Sequence, residues 1–182
     1  MGDPSPHTPV LPILAAFSRH DDALAWARAM TPKLWGPIAL ESEPFPFDHT
    51  RYYDASMGPG LKKRFLTPVE TADPSDLLDW KLTTNAWEET YAAESGHAEP
   101  RPLNLDPGYI TLGKLVLAST KDFAHRIYLG RGIYAEITLF YRRHRWEHHE
   151  WTFADYRQAG YQDFFTRCRD YLHHRLREDA SS

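Results

Sequence analysis

The sequence predicts an α+β fold in a single domain, and three observations support this prediction. The chain has 182 residues, which suffice for one domain with a substantial core. Short apolar runs and two segments of helical periodicity follow one another over residues 10–106 in the order strand, helix, strand, strand, helix, strand. This order is typical of a ferredoxin-like βαββαβ unit. A β-hairpin and a C-terminal helix in the remaining chain then extend the sheet and cover it.

The first strand and the first helix are marked by a change in periodicity. Residues 10–17 form a short, continuous apolar run that ends at a polar turn, which predicts a buried strand. Asp21 or Asp22 can cap the following helix, whose apolar residues recur at helical spacing. Gly36 and Pro37 end that helix.

The next two strands flank a proline-rich segment. Residues 37–43 and 61–70 predict strands because they are short, largely apolar and bounded by turn residues. Pro44 and Pro46 lie between them and exclude a central strand there, because proline cannot donate a hydrogen bond to a sheet. Residues 50–57 are predicted to be irregular or to form a short helical turn.

A second helix is expected after Asp73 and Pro74, since an N-cap residue followed by proline is a good helix-start signal. It ends before Gly96 and leads to a short strand at residues 103–106. Residues 109–119 are ambiguous, because their apolar side chains fit either a buried strand or a helix. The helix is the favoured interpretation.

A β-hairpin is predicted around the turn at residues 130–132, where two glycines flank an arginine. Its strands span residues 124–129 and 133–141. In the register that a three-residue turn sets, Arg126 lies directly opposite Glu136 on a polar face, and the other face is apolar. We therefore expect a cross-strand ion pair between these two side chains.

The chain closes with a helix that begins near residue 153 or 160 and ends near residue 177. The single cysteine, Cys168, lies among aromatic residues of this helix, which predicts a small apolar role and excludes a disulfide within the chain. The predicted organisation is a flexible lead-in at residues 1–9, one folded domain at residues 10–178 and a disordered tail at residues 179–182.

Composition excludes several classes of protein. The formal net charge is -4, with 21 Lys and Arg residues against 25 Asp and Glu residues, so the surface as a whole does not suit nucleic acid. No segment approaches the ~20 apolar residues that cross a membrane, and residues 10–17 lack the basic region that precedes a signal peptide core. The sequence therefore predicts a cytoplasmic protein that does not bind a membrane.

Charged residues interrupt the apolar sequence of residues 103–143. Charged side chains are rarely buried unless they are paired, because removing a charge from water is unfavourable. These residues therefore either pair with one another in the sheet or line a pocket for a charged ligand. They are Asp106, Lys114, Lys121, Asp122, His125, Arg126, Arg131 and Glu136.

Several basic residues are candidates for binding an anion. Lys62 and Arg64 share one face of their strand and can hold a phosphate or carboxylate, or can belong to a solvated strand start. Lys114 lies within an apolar segment, where it needs a carboxylate or an anionic ligand unless it reaches water. Lys121 and Arg126 lead into the hairpin and can converge on the same anion.

Three residues are candidates for acid–base catalysis, namely Asp48, Asp106 and His125. Asp106 lies at the end of a strand, where it can contact a ligand or cap the next element. His125 titrates near neutral pH, although a histidine on an apolar face is more often a hydrogen-bonded core residue.

Acidic residues suggest a metal ion. Glu41 and Glu43 share one face of a strand, and Asp48 follows the two prolines just beyond it. Three carboxylates so close in the chain suit a divalent cation such as Mg²⁺. The alternative is an edge strand whose acidic residues prevent aggregation.

The segment at residues 142–151 offers a different kind of partner. It interleaves Arg and Trp, which can contact RNA, and it contains His and Glu, which can bind zinc, although the spacing fits no standard zinc pattern. Its position directly after a strand instead favours a solvated connector.

Four segments of the chain resemble one protein family. They are residues 41–65, 78–89, 103–143 and 151–157. On these segments the chain resembles the uncharacterised bacterial domain-of-unknown-function family numbered 4416. The matching segments also contain Asn85 and Arg131, which join the candidates for ligand binding. The resemblance implies no particular reaction.

These observations predict a small enzyme or binding protein for an anionic ligand, phosphorylated or nucleotide-like, with or without a divalent metal. They do not decide whether the protein is an enzyme. The alternative from another class is a non-catalytic adaptor that binds RNA or protein through residues 142–151. A convergent pocket of acidic and basic groups favours the first prediction, and a flat surface with its charges paired favours the second.

Overall fold

The computed structural model describes residues 3, 5–48 and 51–181. The elements, in chain order, are β1 (Leu11–Ser18), α1 (Asp21–Trp35), β2 (Ile38–Glu41), β3 (Phe45–Pro46), α2 (Asp54–Met57), β4 (Lys62–Pro68), α3 (Leu77–Glu94), β5 (Asn104–Ile110), β6 (Lys114–Ser119), β7 (Ile127–Gly130), β8 (Ile133–Arg142), β9 (Arg145–His148) and α4 (Ala159–Asp179). Two short 3₁₀ turns, Pro74–Asp76 and Ala154–Arg157, precede α3 and α4. The predicted lead-in, the tail and the segment at residues 50–57 lie partly outside the described residues.

The strands of the described residues form a single nine-stranded sheet. Its main order is β2-β4-β1-β5-β6-β8-β7, with β3 paired to β4 and β9 paired to β8, and these pairings are antiparallel. The predicted succession over the first half is present as β1, α1, β2, β4, α3 and β5, which confirms the α+β class. Because β4 lies between β1 and β2, and β1 lies between β4 and β5, two strand–helix–strand units interleave. The more specific ferredoxin-like assignment stays a prediction.

Helices cover both faces of the sheet, and each face has its own apolar core. On one face, Leu24 of α1 and Trp80 of α3 lie in a cluster with Leu66 of β4. On the opposite face, the aromatic side chains of α4 surround Phe65, which also lies on β4. Cys168 is fully buried in this second core, and burial raises the pKa of its thiol, as expected for an apolar rather than a reactive role.

The helix favoured for residues 109–119 is wrong. This segment contains the end of β5 and all of β6, joined by a tight turn. The Thr111 hydroxyl holds the turn by accepting hydrogen bonds from the Gly113 and Lys114 amides at 3.1 and 3.0 Å. Apolar periodicity does not separate two short buried strands from one helix, because the residues are apolar in both cases.

The solvated connector favoured for residues 142–151 is also incorrect in part, because this segment contains β9. Arg143 and His144 form the turn between β8 and β9, with φ angles of 52° and 61°. A two-residue hairpin turn with positive φ is usually marked by Asn-Gly or Asp-Gly. Neither dipeptide is present here, so the sequence carries no signal for this hairpin.

The predicted hairpin is present as β7 and β8. Tyr128 faces Tyr134 in the predicted register, and the register shifts only beside the turn. Arg126, directly before β7, forms the predicted ion pair with Glu136, with 2.7 Å between the Arg126 Nε and Glu136 Oε2 atoms. The prediction of a direct Arg126–Glu136 pair is therefore confirmed.

Burial in this hairpin does not follow its polar and apolar faces. Glu136 on the polar face is 4% exposed, but Tyr128 on the same face is 59% exposed. On the apolar face, Ile127 and Ile137 are 71% and 41% exposed, whereas Ile133 and Leu139 are 2% and 0% exposed. The hairpin therefore buries the charged side chain of Glu136 while it exposes part of its apolar face.

The remaining predicted elements agree with the structure. Asp73 caps the turn before α3, where its carboxylate accepts a hydrogen bond from the Ser75 amide at 2.8 Å. The C-terminal helix is α4, preceded by the 3₁₀ turn at Ala154–Arg157. Within the described residues, no helix has the length and apolar character needed to cross a membrane.

Candidate functional site

A cavity of about 820 Å³ lies beside the diverging ends of β5 and β6. These two strands pair only over residues 108–110 and 115–117, where Gly108 permits close approach: a Cβ atom there would lie 2.2 Å from the Val116 carbonyl oxygen. Beyond the paired residues, Asp106 and Ser119 line the cavity. Its basic side chains are Lys63, Lys81, Arg101, Lys121 and Arg126, and its acidic side chains are Glu88, Glu89, Asp106, Glu136 and Asp155.

The first buried ion pair of the cavity joins Lys63 and Asp155. The Lys63 Nζ atom on β4 lies 2.5 Å from Asp155 Oδ2, and both side chains are 4% exposed. The same ammonium group lies 4.3 Å from the ring centroid of Phe47 and 4.9 Å from that of Tyr156. Aromatic faces attract a cation, so the rings add to the attraction that the Asp155 carboxylate exerts on the Lys63 side chain.

The second pair joins α3 to β5. Lys81 donates hydrogen bonds to the Leu105 carbonyl oxygen at 2.8 Å and to Asp106 Oδ1 at 3.1 Å. Burial alone would raise the pKa of Asp106, but the charges of Lys81 and Lys63 outweigh it and hold this pKa below its usual value. Asp106 is therefore an anion at neutral pH, next to a fixed ammonium group.

The third pair involves Glu88 on α3. Glu88 accepts a hydrogen bond from the Leu105 amide at 2.7 Å and another from the Arg101 guanidinium at 3.3 Å. Burial raises the pKa of Glu88, and the neighbouring Lys81 only partly offsets this effect. Glu88 is thus the cavity carboxyl that holds a proton to higher pH than an ordinary glutamate.

The fourth pair is the one predicted from the hairpin. Arg126 and Glu136 are 3% and 2% exposed in their side chains. Arg126 also donates to the Ser119 hydroxyl and to the Lys121 carbonyl oxygen, both at 2.8 Å. His125 Nε2 lies 3.2 Å from the same carboxylate oxygen of Glu136, so His125 acts on the cavity through Glu136.

Aromatic residues and one lysine form the mouth of the cavity. Lys121 is exposed and donates a hydrogen bond to the Tyr52 hydroxyl at 2.7 Å, which lowers the pKa of that hydroxyl. Phe123 and Phe153, which also line the cavity, are 54% and 48% exposed. Large aromatic groups at an opening give a ligand flat apolar surfaces to contact.

Ligand sites in proteins are concave, measure roughly 300–1,000 Å³ and combine apolar walls with a few placed polar groups. This cavity has those properties. The buried hydroxyl of Tyr156, a lining residue, has no hydrogen-bond partner among the described residues. It can therefore donate to a ligand oxygen without breaking an existing bond.

The cavity brings together four of the sequence-predicted site residues, and a fifth contacts one of its carboxylates. Asn85, Asp106, Lys121 and Arg126 line it directly. His125 contacts Glu136 from the side. The other candidates lie elsewhere.

The basic residues predicted on β4 lie in a separate, smaller cleft. Lys62 and Arg64 line this cleft together with Glu43. Lys62 pairs with Asp21 at 2.7 Å, and Arg64 lies 3.5 Å from Glu41. These pairs link β4 to α1 and to β2 at the protein surface. They lie on the face of β4 opposite Lys63, and the cavity is on the Lys63 side.

The predicted metal ligands are not gathered around one point. Glu41 also accepts a hydrogen bond from Arg28 at 2.5 Å, while Glu43 and Asp48 are exposed. In the part of the chain that the structure describes, the oxygens of Glu41, Glu43 and Asp48 do not all lie within 4.8 Å of one another. The fit to a single Mg²⁺ ion is therefore poor.

Two further ligand-binding candidates also lie outside the cavity. Arg131, in the hairpin turn, pairs with Asp79 of α3 at the exposed surface. Lys114 begins β6, whereas the cavity lies at the other end of that strand.

Sequence reasoning missed six of the ten charged lining residues, Glu89 and five others. Lys63, Lys81, Glu88, Arg101 and Asp155 were not among the candidates, although each belongs to an ion pair of the cavity. One signal was present for Lys63: alternation along the strand places it on the face opposite Lys62 and Arg64. Lys81 and Glu88 lie seven positions apart in the sequence, a spacing that places both on one side of a helix.

The fold and the cavity define an α+β protein with a paired, charged pocket at one side of an antiparallel sheet. A family model described as Domain of unknown function (DUF4416) matches residues 8–171. The chain belongs to this family. No curated protein and no solved structure gives a significant match.

Proposed function

We propose that this protein binds a small anionic ligand, phosphorylated or nucleotide-like, in the cavity beside the diverging ends of β5 and β6. The observation that supports this proposal is the convergence of five basic side chains and several aromatic rings on one space of about 820 Å³. Two of these basic residues, Lys121 and Arg126, are also candidates from the sequence.

The basic residues divide into two groups with different roles. Lys63, Lys81 and Arg126 are buried against carboxylates, which fixes their positions and those of their partners. Lys121 forms no ion pair with any described residue, and Arg101 is 44% exposed. These two groups at the mouth can therefore contact a phosphate while the deeper pairs shape the site.

The cavity also holds two carboxyls with opposite pKa shifts. The pKa of Asp106 is lowered by Lys81 and Lys63, whereas burial raises the pKa of Glu88. Pairs of titratable groups whose environments move their pKa values apart are typical of acid–base sites. If the protein is an enzyme, Glu88 is the proton donor of our proposal and Asp106 is the carboxylate that stays ionised beside Lys81.

We expect a ligand of this class to raise the melting temperature of the protein. Inorganic phosphate, sugar phosphates and nucleotides are tested by thermal shift, and a bound ligand at about a hundredfold its Kd is expected to raise Tm by roughly 5–10 °C. Lys121→Ala and Arg101→Ala should each weaken the binding of this ligand about tenfold or more, because each removes a charged hydrogen bond to it.

Lys114→Ala is the matched control, since Lys114 lies at the start of β6, outside the cavity. It should leave the ligand-induced shift unchanged. The proposal is contradicted if Lys121→Ala, Arg101→Ala and Lys114→Ala all show the same ligand-induced rise in Tm. It is also contradicted if none of these compounds raises the Tm of the wild-type protein.

One observation favours a second candidate function, the binding of single-stranded RNA. Four rings form a continuous stack beside the cavity and a fifth, tilted by 40°, contacts its end, with centroid distances of 5.9, 5.1, 4.6 and 4.8 Å between successive members. In order they are Phe123, His125, Trp151, His149 and Phe140. Bases stack on aromatic side chains in proteins that bind single strands.

Under this candidate function, Trp151→Ala is expected to weaken the binding of a labelled single-stranded RNA roughly tenfold, since one base–aromatic stack contributes about 1–3 kcal/mol. Fluorescence anisotropy at two salt concentrations measures the affinity. Tyr128→Ala, which removes another exposed aromatic ring outside the stack, serves as the control. Undetectable RNA binding by the wild-type protein would rule this candidate out.

A further inference from the structure

A cluster of imidazole and carboxylate groups lies outside the cavity, where the start of α1 meets the segment that follows α3. His20 and Asp22 come from the beginning of α1, and His97 and Glu99 come from the segment between α3 and β5. The ligand atoms of His20, Asp22 and His97 all lie within 4.8 Å of one another. In the described part of the chain, this is the single such group of three.

The contacts within the cluster are short. His97 Nε2 lies 3.1 Å from Asp22 Oδ2, and His20 Nε2 lies 3.0 Å from Glu99 Oε2. The two imidazole rings stack with 3.6 Å between their centroids, so both Nε2 atoms lie beside the carboxylates. Neither histidine is buried deeply, since their side chains are 23% and 18% exposed, and an ion can reach them from solvent.

The 3.1 Å contact between His97 Nε2 and Asp22 Oδ2 fits two neighbouring ligands of a tetrahedral transition-metal ion, and a ring nitrogen of His20 lies within 4.8 Å of both. Zinc binds imidazole nitrogen and carboxylate oxygen at about 2.0–2.2 Å, which places neighbouring ligand atoms roughly 3.3 Å apart. Two histidines and one carboxylate form a common set of three protein ligands, with the fourth position left for water or another donor. Because the lone pair of an imidazole nitrogen lies in the plane of its ring and the two planes are 12° from parallel, the rings must turn out of their stack for both nitrogens to bind one ion.

Two further residues contact this group. The Tyr91 hydroxyl lies 3.3 Å from Asp22 Oδ2 and 3.2 Å from His97 Nε2. Glu99 is 16% exposed and is also held by Arg19 at 3.0 Å. An ion bound to the two Nε2 atoms would replace the contacts that Tyr91 and Glu99 make with these nitrogens.

We propose that His20, Asp22 and His97 bind a transition-metal ion such as Zn²⁺, with Glu99 as a further donor beside His20. The ion would join the start of α1 to the segment that carries Pro100 and Arg101, two residues of the cavity wall. The site does not depend on the ligand proposed for the cavity.

The test uses full-length protein freed of metal with a chelator and then titrated with Co²⁺. We expect one equivalent of Co²⁺ per chain, the visible absorption of a tetrahedral cobalt site, and displacement of Co²⁺ by Zn²⁺. His97→Ala and His20→Ala should each weaken binding by more than about tenfold, since even the loss of an outer-shell partner has an effect of that size. His173→Ala, which removes an exposed histidine of α4, should bind as the wild type does.

Asp22→Ala keeps the proposal testable if a histidine variant fails to fold, because the Asp22 side chain is 67% exposed. This variant should also weaken Co²⁺ binding. The proposal is overturned if the wild-type protein shows no tetrahedral cobalt spectrum. It is equally overturned if the variants bind Co²⁺ unchanged, as they would if His148 and His149 held the ion.

Discussion

Arg126→Ala is expected to lower the free energy of unfolding by about 3–5 kcal/mol, the range for breaking a buried ion pair by removing one partner. The substitution leaves the Glu136 carboxylate, which is 2% exposed, without its guanidinium. It also removes the hydrogen bonds that Arg126 donates to Ser119 and to the backbone of Lys121. The buried carboxylate must then either remain charged with only the His125 imidazole and the Thr138 hydroxyl beside it or take up a proton, and both outcomes destabilise the folded state.

Urea unfolding followed by circular dichroism measures this loss. Arg131→Ala is the matched control, since Arg131 belongs to the same hairpin and its pair with Asp79 is 59% and 68% exposed. Exposed pairs of this kind contribute at most about 1 kcal/mol. If both variants lower the free energy of unfolding by the same amount, the Arg126–Glu136 pair is not effectively buried.

This pair was predictable because local rules determine it. Two glycines locate the hairpin turn, and the two-residue alternation of a strand then leaves little freedom in the register. Asp73 before Pro74 likewise determines where the second helix begins. In each case the interacting groups lie within about ten residues of one another, so propensity and spacing are sufficient.

The incorrect predictions arose where local rules are silent. Residues 109–119 are apolar whether they form one helix or two strands, and the difference depends on a turn at Thr111 and on Gly108. The turn into β9 uses positive φ at Arg143 and His144 without glycine. Both features become clear only when the neighbouring strands are in place.

The cavity was only partly predictable for a related reason. Its ion pairs join residues far apart in the sequence, such as Lys63 with Asp155 and Lys81 with Asp106. Alternation along β4 shows that Lys63 lies on the face opposite Lys62 and Arg64, but it does not show which face is covered by aromatic residues. That information belongs to the tertiary structure.

Asp155→Ala is expected to be destabilising to a similar degree, by about 3–5 kcal/mol, because it leaves the buried Lys63 ammonium group without the carboxylate to which it donates a hydrogen bond. Both side chains of this pair are 4% exposed. The rings of Phe47 and Tyr156 remain beside Lys63 and reduce the loss, but a ring face attracts a cation less strongly than a carboxylate does. Asp21→Ala, which breaks the exposed pair with the neighbouring Lys62, should lose at most about 1 kcal/mol in the same unfolding experiment.

The double variant Lys63→Met with Asp155→Leu separates the two reasons for which such a pair can be present. Replacing both buried charges with apolar side chains of similar volume is often neutral or stabilising, so the double variant should recover most of the stability lost in Asp155→Ala. Stability alone therefore does not account for the pair. Under the proposed function, the pair shapes the cavity, and the stable double variant should lose the ligand-induced rise in Tm that the wild type shows. A double variant that is stable and still binds the ligand would place Lys63 and Asp155 outside the binding site. A double variant that stays as unstable as Asp155→Ala would show that the surrounding aromatic residues require a cation.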